Sequence, residues 1–419
     1  MSSKYVDIII IGSGMSGLYS AYNIQKYSPD TSFLVLEKHK KQWIGGRASN
    51  EMFYGTQVVT GAGIGRKSKD KVLLRLMKEL DIRPTDFIFK PQYSELIHPV
   101  NINKIIEYLK HTYYHDAVKS SQKPSVTFKE FAEANLGEDI YKRFLITAGY
   151  TDYENEDVSQ TLNYYDMTDN KCCWTGFYVP WKKMVLKLCD KIGSDRIKTS
   201  MDVTRITKIN DSPCKFLVET DKGVKFTCNK VIIATTITGI KNLLPEYPIY
   251  DQIEGQPFLR LYGKFSKKSI PIMAQFVKDY TIVPGPLQKI IPIDPEKGVY
   301  MIAYSDNANA IALKNNLENT EKNRELYCKL LEQSLGIPEG SLQLIAIKDY
   351  YWPIGTHYYK PLPRDKFKNR DDFIDKAQHP TNGILVVGEV VSHNQGWTEG
   401  ALESVKSVLS KAWVTKECV

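Results

Sequence analysis

The sequence predicts an α/β fold in which one sheet is assembled from separated segments of the chain. The first observation is the apolar run from Val6 to Ile11, which is typical of a parallel strand buried on both faces. Similar runs occupy Val231 to Ala234 and Gly383 to Val387. The segments between these strands are therefore expected to form a second, inserted domain.

Length and composition indicate a large globular protein. The chain has 419 residues, with 42% hydrophobic, 11% aromatic and 25% charged residues. This composition excludes disordered, collagenous and repeat proteins. The net charge of +8 is spread along the chain, so we expect no nucleic-acid partner. The sequence leaves the oligomeric state open.

The cysteines indicate a cytoplasmic protein with reduced thiols. They are odd in number, widely spaced and without metal-ligand spacing, so we expect neither a disulfide framework nor a metal site. No apolar stretch approaches the roughly 20 residues that span a bilayer, so no membrane anchor is expected. The cysteines are Cys172, Cys173, Cys189, Cys214, Cys228, Cys328 and Cys418.

A glycine motif follows the first strand directly. Gly12-Ser13-Gly14-Met15-Ser16-Gly17 has the form GxGxxG, and the residues from Met15 to Lys26 have a helical pattern. Gly12 makes the tight turn, Gly14 lets the backbone approach a pyrophosphate, and Gly17 lets the helix pack on the strand. The N-terminus of the helix then faces the phosphates. The motif predicts a dinucleotide site.

The next strand ends in an acidic residue. Phe33 to Glu37 reads as the second strand, and Glu37 can accept hydrogen bonds from both hydroxyls of an adenosine ribose, with Lys38 beside it. Gly45 and Gly46 precede Arg47, so backbone N–H groups and a guanidinium can meet a diphosphate.

With these residues the sequence resembles the flavin-containing amine oxidase family, whose first segment combines GxGxxG, an acid and GGR. The resemblance implies FAD as the cofactor. It extends in patches along the chain and assigns further cofactor contacts to Gly61, Ala62, Gly63, Val203 and Ala234.

The end of the chain resembles the closing motif of the same family. Gly388 and Glu389 follow the last strand, and Gly396-Trp397-Thr398-Glu399-Gly400-Ala401 opens a helix predicted to run to about Trp413. Glu389 can accept hydrogen bonds from cofactor hydroxyls. The helix N-terminus, from Thr398 to Ala401, can place its positive dipole end beside the flavin.

The resemblance and the strand pattern predict a Rossmann-like FAD-binding domain assembled from discontinuous segments, together with an α+β substrate domain of mixed sheet and helices. The FAD-binding domain is expected to comprise residues 1–65, 175–245 and 380–419. The substrate-binding domain is expected to comprise residues 66–174 and 246–379.

The resemblance also implies a reaction. Family members transfer a hydride from the carbon beside an amine nitrogen to flavin N5, and oxygen then reoxidises the flavin. The expected substrate is a small or medium amine or amino acid. Trp397 is expected to form one wall of the site, with Trp352 and His357 opposite. The stretch from Tyr350 to Tyr359 contains no cysteine, so FAD is expected to be non-covalent.

One departure from the family keeps alternatives open. The family has a flavin-facing lysine five residues before a phenylalanine, and Arg260 stands in that place before Phe265. Arginine keeps the charge but cannot act as a base. A register shift would offer Lys264 instead. Arg260 could also recognise an anionic substrate group, and a carbon–carbon dehydrogenase, a mutase or a non-catalytic flavoprotein are the alternatives to an amine oxidase.

Overall fold

The structure is a computed structural model that describes residues 4–120, 125–165, 172–209 and 215–416. Of residues 116–120 only the backbone is described. Cys214 and Cys418 lie outside the described residues.

The strands are β1 Lys4–Ile11, β2 Phe33–Leu36, β3 Asn50–Phe53, β4 Thr56–Val59, β5 Gly65–Arg66, β6 Thr85–Ile88, β7 Pro91–Tyr93, β8 Thr175–Tyr178, β9 Ile197–Lys198, β10 Val203–Lys208, β11 Phe216–Thr220, β12 Lys225–Ile233, β13 Ile253–Phe265, β14 Tyr280–Ile282, β15 Lys289–Asp294, β16 Val299–Asp306, β17 Leu344–Tyr359 and β18 Ile384–Val386. The helices are α1 Met15–Tyr27, α2 Lys71–Glu79, α3 Ile102–Ser120, α4 Phe128–Leu136, α5 Glu138–Ala148, α6 Val158–Asn163, α7 Trp181–Ile192, α8 Ile237–Leu243, α9 Ile270–Phe276, α10 Asn307–Leu313, α11 Glu321–Leu335, α12 Arg370–Gln378, α13 Thr398–Val408 and α14 Lys411–Thr415.

A seven-stranded sheet draws its strands from both ends and the middle of the chain. Its order is β10-β11-β12-β1-β2-β9, and β18 pairs with β12. Strands β2, β1, β12 and β18 run parallel, while β10 and β11 add an antiparallel ribbon. Both faces of β1 are buried in two hydrophobic clusters, which explains its unbroken apolar sequence.

The inserted segments form a second sheet and a group of helices. The second sheet has the order β17-β13-β16-β15-β14-β7, and β13 at 13 residues is one of its two long strands. Helices α3, α4, α5 and α6 pack around a separate aromatic cluster that includes Phe128, Phe144 and Tyr153. This arrangement confirms the predicted α/β class, with a Rossmann-like parallel sheet and mixed sheet and helices besides.

Two local predictions are wrong. The last helix does not run continuously to Trp413, because Leu409 is extended and the Ser410 hydroxyl accepts a hydrogen bond from the Trp413 N–H, which starts a new helix. The adjacent Cys172 and Cys173 are joined in a disulfide rather than reduced. No helix among the described residues is long and apolar enough to cross a membrane.

Candidate functional site

The candidate cofactor residues meet at one edge of the parallel sheet. The carboxyl ends of parallel strands lie at the same edge, so loops that follow β1, β2, β12 and β18 converge there. The Ala234 N–H donates to the Ile11 carbonyl at 2.8 Å, and the Val387 N–H donates to the Ile233 carbonyl at 2.9 Å. Segments more than 370 residues apart in sequence thereby become neighbours.

The glycine turn between β1 and α1 is closely packed on one side and open on the other. Gly12 has φ +101°, and a Cβ there would lie 2.5 Å from the Ala234 carbonyl oxygen. A Cβ on Gly17 would overlap the Gly12 carbonyl oxygen. In contrast, a Cβ on Gly14 would meet no atom within 4 Å. No side chain caps α1 at Gly14, so the N–H groups of its first turn receive no capping acceptor.

Glu37 lies beside the glycine turn, at the end of β2. Its carboxylate accepts hydrogen bonds from the N–H and hydroxyl of Ser13, at 2.9 and 2.6 Å, and from the His39 N–H at 2.9 Å. The neighbouring Lys38 is exposed. The Met201 N–H donates to the Glu37 carbonyl at 2.9 Å, which brings the start of β10, with buried Val203, close to the acid.

The glycine pair before Arg47 docks on the same turn. The Gly45 N–H donates to the Ser13 carbonyl at 2.9 Å, and a Cβ on Gly46 would lie 3.6 Å from the Gly14 Cα. The Arg47 carbonyl accepts from the Ala62 N–H at 2.7 Å, which holds the Gly61 to Gly63 segment beside it.

Arg47 also joins the two ends of the chain through a buried carboxylate. Its Nη1 donates to Glu389 at 3.0 Å, and Glu389 lies at 2.5 Å from His357 Nδ1. Burial would raise the pKa of Glu389, but the electrostatic interactions with His357 and then Arg47, together with the hydrogen bonds from His357 and the Gly396 N–H, lower it to about 2. Gly388, just before, donates its N–H to the Ser404 hydroxyl.

Trp397 stands where α13 begins. Thr398 and Ala401 in its first turn are buried, and Trp397 packs edge-on against Trp181 with centroids 6.0 Å apart. Trp181 Nε1 in turn donates to the Gly63 carbonyl at 2.9 Å. The buried Nε1 of Trp397 has no hydrogen-bond partner within the described parts of the chain.

These observations test whether the edge fits FAD. The space in front of Gly14 and the uncapped α1 suit a pyrophosphate, Glu37 suits a ribose, and Trp397 Nε1 is a buried donor that still needs an acceptor. The residues present therefore fit the group.

A cavity of about 940 Å³ begins at this edge and extends toward the second sheet. Gly63 and Trp397 line it on the nucleotide side. Its other walls are mainly aromatic and include Phe89, Tyr150, Trp174, Tyr280 and Tyr304.

Arg260 of β13 lines this cavity and is 7% exposed. Its guanidinium stacks on Tyr304, with Cζ 4.1 Å from the ring centroid, and its Nε donates to the Gly61 carbonyl at 2.7 Å. A Cβ on Gly63 would lie 3.0 Å from Nη2, so the glycine gives the guanidinium room. Arg260 therefore keeps a positive charge at the position of the family's lysine, next to the segment from Gly61 to Gly63.

Two carboxylates line the cavity elsewhere, the half-buried Asp152 and the buried Glu156. Asp152 accepts a hydrogen bond from the Tyr165 hydroxyl at 2.7 Å, and Glu156 accepts from the Thr161 hydroxyl at 2.7 Å. Burial, together with the charge of Asp306, raises the pKa of Asp152. Burial likewise raises the pKa of Glu156 to about 8. The charge of Lys289 acts against this rise at Asp152, and that of Arg370 at Glu156, but burial outweighs both.

Three residues predicted for the substrate side, His357, Trp352 and Lys264, are not among the residues that line this cavity. His357 is 3% exposed, and its Nε2 accepts the Ile237 N–H at 3.1 Å while Nδ1 faces Glu389. Trp352 donates from Nε1 to the Thr60 carbonyl at 2.8 Å. Lys264 donates to the Lys297 carbonyl beyond the cavity.

The irregular pairing of β17 explains part of this placement. Gln256 lies opposite Thr356, but Phe258 lies opposite Trp352, so β17 places three residues where β13 places one. Such a bulge interrupts the alternation of side chains between the two faces, and sequence alternation cannot reveal it.

The sequence interpretation also missed residues that the fold brings to the cavity. Tyr304 could have been found, because the segment from Gly298 to Tyr304 has the residue alternation of a strand. Tyr150, Asp152 and Glu156 gave no signal, since they lie in a short acidic segment between helices that reads as a solvated loop.

Comparisons with known proteins agree with this layout. A profile of the NAD(P)-binding Rossmann-like domain matches residues 10–80, which include the glycine turn and Glu37. An uncharacterized protein of Acanthamoeba polyphaga mimivirus is 29% identical over 107 residues, which make up 26% of this chain and 19% of that protein. The chain thus aligns with only about a fifth of that relative.

Solved structures of two amine oxidases share the fold over nearly the whole chain. A cofactor-binding variant of putrescine oxidase superposes with a TM-score of 0.75 at 14% identity, covering 99% of both chains. Cyclohexylamine oxidase from Brevibacterium oxydans superposes with a TM-score of 0.73 at 14% identity, covering 98% of both. The fold is therefore that of these oxidases, as the sequence resemblance implied.

Proposed function

We propose that the protein is an FAD-dependent oxidoreductase that oxidises an amine or amino acid. The proposal is carried by one observation: a single cavity is lined both by Gly63 and Trp397, two of the predicted cofactor contacts, and by aromatic side chains with charged residues among them. A substrate in this chamber would lie next to the cofactor and away from bulk water. The oxidase fold of the compared structures supports the same conclusion.

The cofactor would be held without a covalent bond by groups at the sheet edge. Gly12 to Gly17 and the start of α1 would receive the pyrophosphate, Glu37 the ribose, and Gly45, Gly46 and Arg47 the diphosphate. The remaining proposed contacts are Lys38, Gly61, Ala62, Gly63, Val203, Ala234, Gly388, Glu389, Trp397, Thr398 and Ala401. Accordingly, residues 1–65, 175–245 and 380–419 are assigned to FAD and the rest to the substrate.

When bound, FAD would supply the redox chemistry by which amine and oxygen become imine and hydrogen peroxide. The chain's own residues prepare the substrate. Trp397 and Tyr304 would confine the amine and exclude water. Asp152 or Glu156, in its ionised form, would hold the ammonium and accept its proton, because only the neutral amine can release a hydride.

The test is the absorption spectrum of the purified protein before and after acid precipitation, followed by anaerobic addition of amines and amino acids. A yellow supernatant and bleaching by one compound class are the expected results. Flavin that no compound bleaches would favour another redox reaction or a non-catalytic flavoprotein. Protein without any flavin would refute the proposal.

A further inference from the structure

Two adjacent cysteines lie at the surface beside the cavity. Cys172 and Cys173 are both exposed and are joined in a disulfide. The three free cysteines that the structure describes are buried instead, and burial raises the pKa of the Cys189 and Cys328 thiols to about 11 and that of Cys228 to about 12. A buried thiol with a raised pKa reacts slowly, because the thiolate is the reactive form. Among the described cysteines, a dissolved oxidant or reductant therefore reaches the adjacent pair most easily.

The pair is bonded directly to the aromatic wall of the cavity. The Cys173 N–H donates to the Phe89 carbonyl at 2.7 Å, and the Phe89 N–H donates to the Trp174 carbonyl at 3.0 Å. The Trp174 ring stacks on the Phe89 ring, with centroids 4.7 Å apart and planes inclined by 17°. Both residues line the cavity, and Phe89 also meets Tyr280 edge-on at 4.9 Å. The disulfide thus lies one residue away from an aromatic side chain that borders the cavity.

The covalent bond bears on the backbone conformation at this point. Cys173 has φ +76°, in the left-handed region that side-chain-bearing residues seldom adopt. A link to the preceding side chain restricts the conformations open to the dipeptide, and this restriction disappears when the two thiols separate. After reduction we expect Cys173 to leave the left-handed region and its hydrogen bond to Phe89 to open more often. The stacking of Trp174 on Phe89 should loosen as a result.

One opening of the cavity lies at this segment. Ile88 and Lys90, on either side of Phe89, both line the cavity and are exposed. A small molecule that leaves between the cavity and solvent here passes the residue to which Cys173 is bonded. The positive charge of Lys90, one residue from the acceptor of the Cys173 N–H, also favours a thiolate over a thiol.

We propose that Cys172 and Cys173 form an oxidation site for hydrogen peroxide, and that the state of this pair sets the order of the wall formed by Phe89 and Trp174. The supply of oxidant rests on the proposed function, which releases peroxide from the same cavity. A ligand that enters the cavity meets an ordered wall when the pair is oxidised and a looser one when it is reduced.

The oxidation balances with peroxide alone. One thiolate sulfur attacks a peroxide oxygen, the O–O bond breaks, and hydroxide leaves. The second sulfur then displaces the oxygen bound to the first, and the disulfide forms. In sum, two thiols and one peroxide give one disulfide and two water molecules, and two electrons pass from sulfur to oxygen. A thiol reductant reopens the bond by thiol–disulfide exchange.

The first experiment follows the cysteines in the flavin-loaded protein. The protein is reduced with dithiothreitol, freed of reductant without oxygen and treated with hydrogen peroxide, and alkylation with mass spectrometry then counts the free thiols. We expect the pair of Cys172 and Cys173 to close at least about tenfold faster than Cys328 loses its thiol. Oxygen and the compound that bleaches the flavin should close the pair without added peroxide, and catalase should prevent this closure.

The second experiment reads the cavity wall by hydrogen–deuterium exchange, which requires no substrate. Reduction of the pair should speed exchange of the Phe89 and Cys173 N–H groups at least about tenfold. Exchange in the middle of β13, around Leu261, should stay the same, because this strand is paired on both sides.

Matched variants test the physical reason. Cys172→Ser combined with Cys173→Ser cannot form the bond, so its exchange should be fast with or without peroxide. Cys173→Gly cannot form the bond either, but glycine tolerates φ +76°, so its exchange should lie between those of the oxidised and reduced wild type. Cys328→Ala removes a buried thiol from the core beneath the second sheet and should respond to peroxide as the wild type does.

Two results would overturn the inference: a pair that stays reduced in peroxide, and equal exchange of the wall in both states. A pair that stays reduced while an amine releases peroxide would also overturn it and would leave the proposed function intact. Conversely, closure by added peroxide, without flavin bleaching by any amine or amino acid, would refute the proposed oxidation and keep the site, with peroxide from another source as its oxidant.

Discussion

The nucleotide edge and the cavity are built by different means. At the edge, backbone groups and glycines dominate, and the turn from Gly12 to Gly17 is a short continuous segment. In the cavity, side chains form the site, and Arg260, Asp152 and Trp397 come from three distant parts of the chain. A backbone site imposes local residue requirements that recur in sequence, whereas a side-chain site depends on which segments the fold brings together.

The largest effect is expected from adding a methyl group to a glycine at this edge of the parallel sheet. Gly17→Ala would force a Cβ onto the Gly12 carbonyl, so we expect loss of the folded state or a stability loss of about 3 kcal/mol or more. Gly14→Ala meets only open space and should leave the fold intact while weakening flavin binding. Urea unfolding and the flavin-to-protein absorbance ratio measure the two effects. If both variants lost stability and flavin binding to the same extent, this would contradict a packing role for Gly17 that is separate from a binding role for Gly14.

The next effect concerns the buried carboxylate that joins both regions. Glu389→Ala leaves Arg47 and His357 without their partner, so we expect a loss of about 3–5 kcal/mol in the free energy of unfolding. Because its folded pKa is lowered, Glu389 stabilises the protein above its unfolded pKa of about 4.5 and loses this contribution as the pH falls toward about 2. The free energy of unfolding of Glu389→Gln should therefore depend less on pH over that range than the free energy of unfolding of the wild type. The exposed Glu246→Gln is the control, and an equal response from it would argue against the network.

Substitution of Trp397 is expected to affect activity more than stability. Trp397→Ala removes the cavity wall at the nucleotide side, so kcat/KM for the substrate should fall about 10- to 100-fold, whereas Trp397→Phe should keep most of it. Steady-state peroxide release gives the rates. His357→Gln provides the contrast, because His357 is buried outside the cavity and should change stability more than KM. A larger change in KM for His357→Gln than for Trp397→Ala would indicate that His357 contacts the substrate after all.

The smallest expected effect is a pH dependence of stability. Burial raises the folded pKa of Glu156 to about 8, so its contribution is fully present below its unfolded pKa of about 4.5 and is lost as the pH rises through 8. Glu156→Gln should therefore lose less Tm between pH 5 and pH 9 than the wild type, by a few degrees. A bound amino acid should reduce the wild-type loss. Parallel Tm curves for both proteins would show that Glu156 is solvated.

The same contrast explains which predictions succeeded. The α/β class and the discontinuous parallel sheet followed from apolar runs such as Val6 to Ile11, because burial on both faces leaves a continuous sequence signal. The helix from Met15 and its glycine turn were equally clear. The break at Leu409 and Ser410 was missed, since a single side-chain cap decides it.

By itself, the sequence determined the fold class and the residue types of the nucleotide edge, because a tight turn and a close helix–strand contact allow only glycine at particular spacings. Only the tertiary structure decided the cavity. Arg260 and Lys264 are equivalent by alternation, yet one reaches the cavity and the other the Lys297 carbonyl. Asp152 lines the cavity although no sequence pattern indicated it, and His357 does not, because burial and partners depend on contacts between segments that no local pattern encodes.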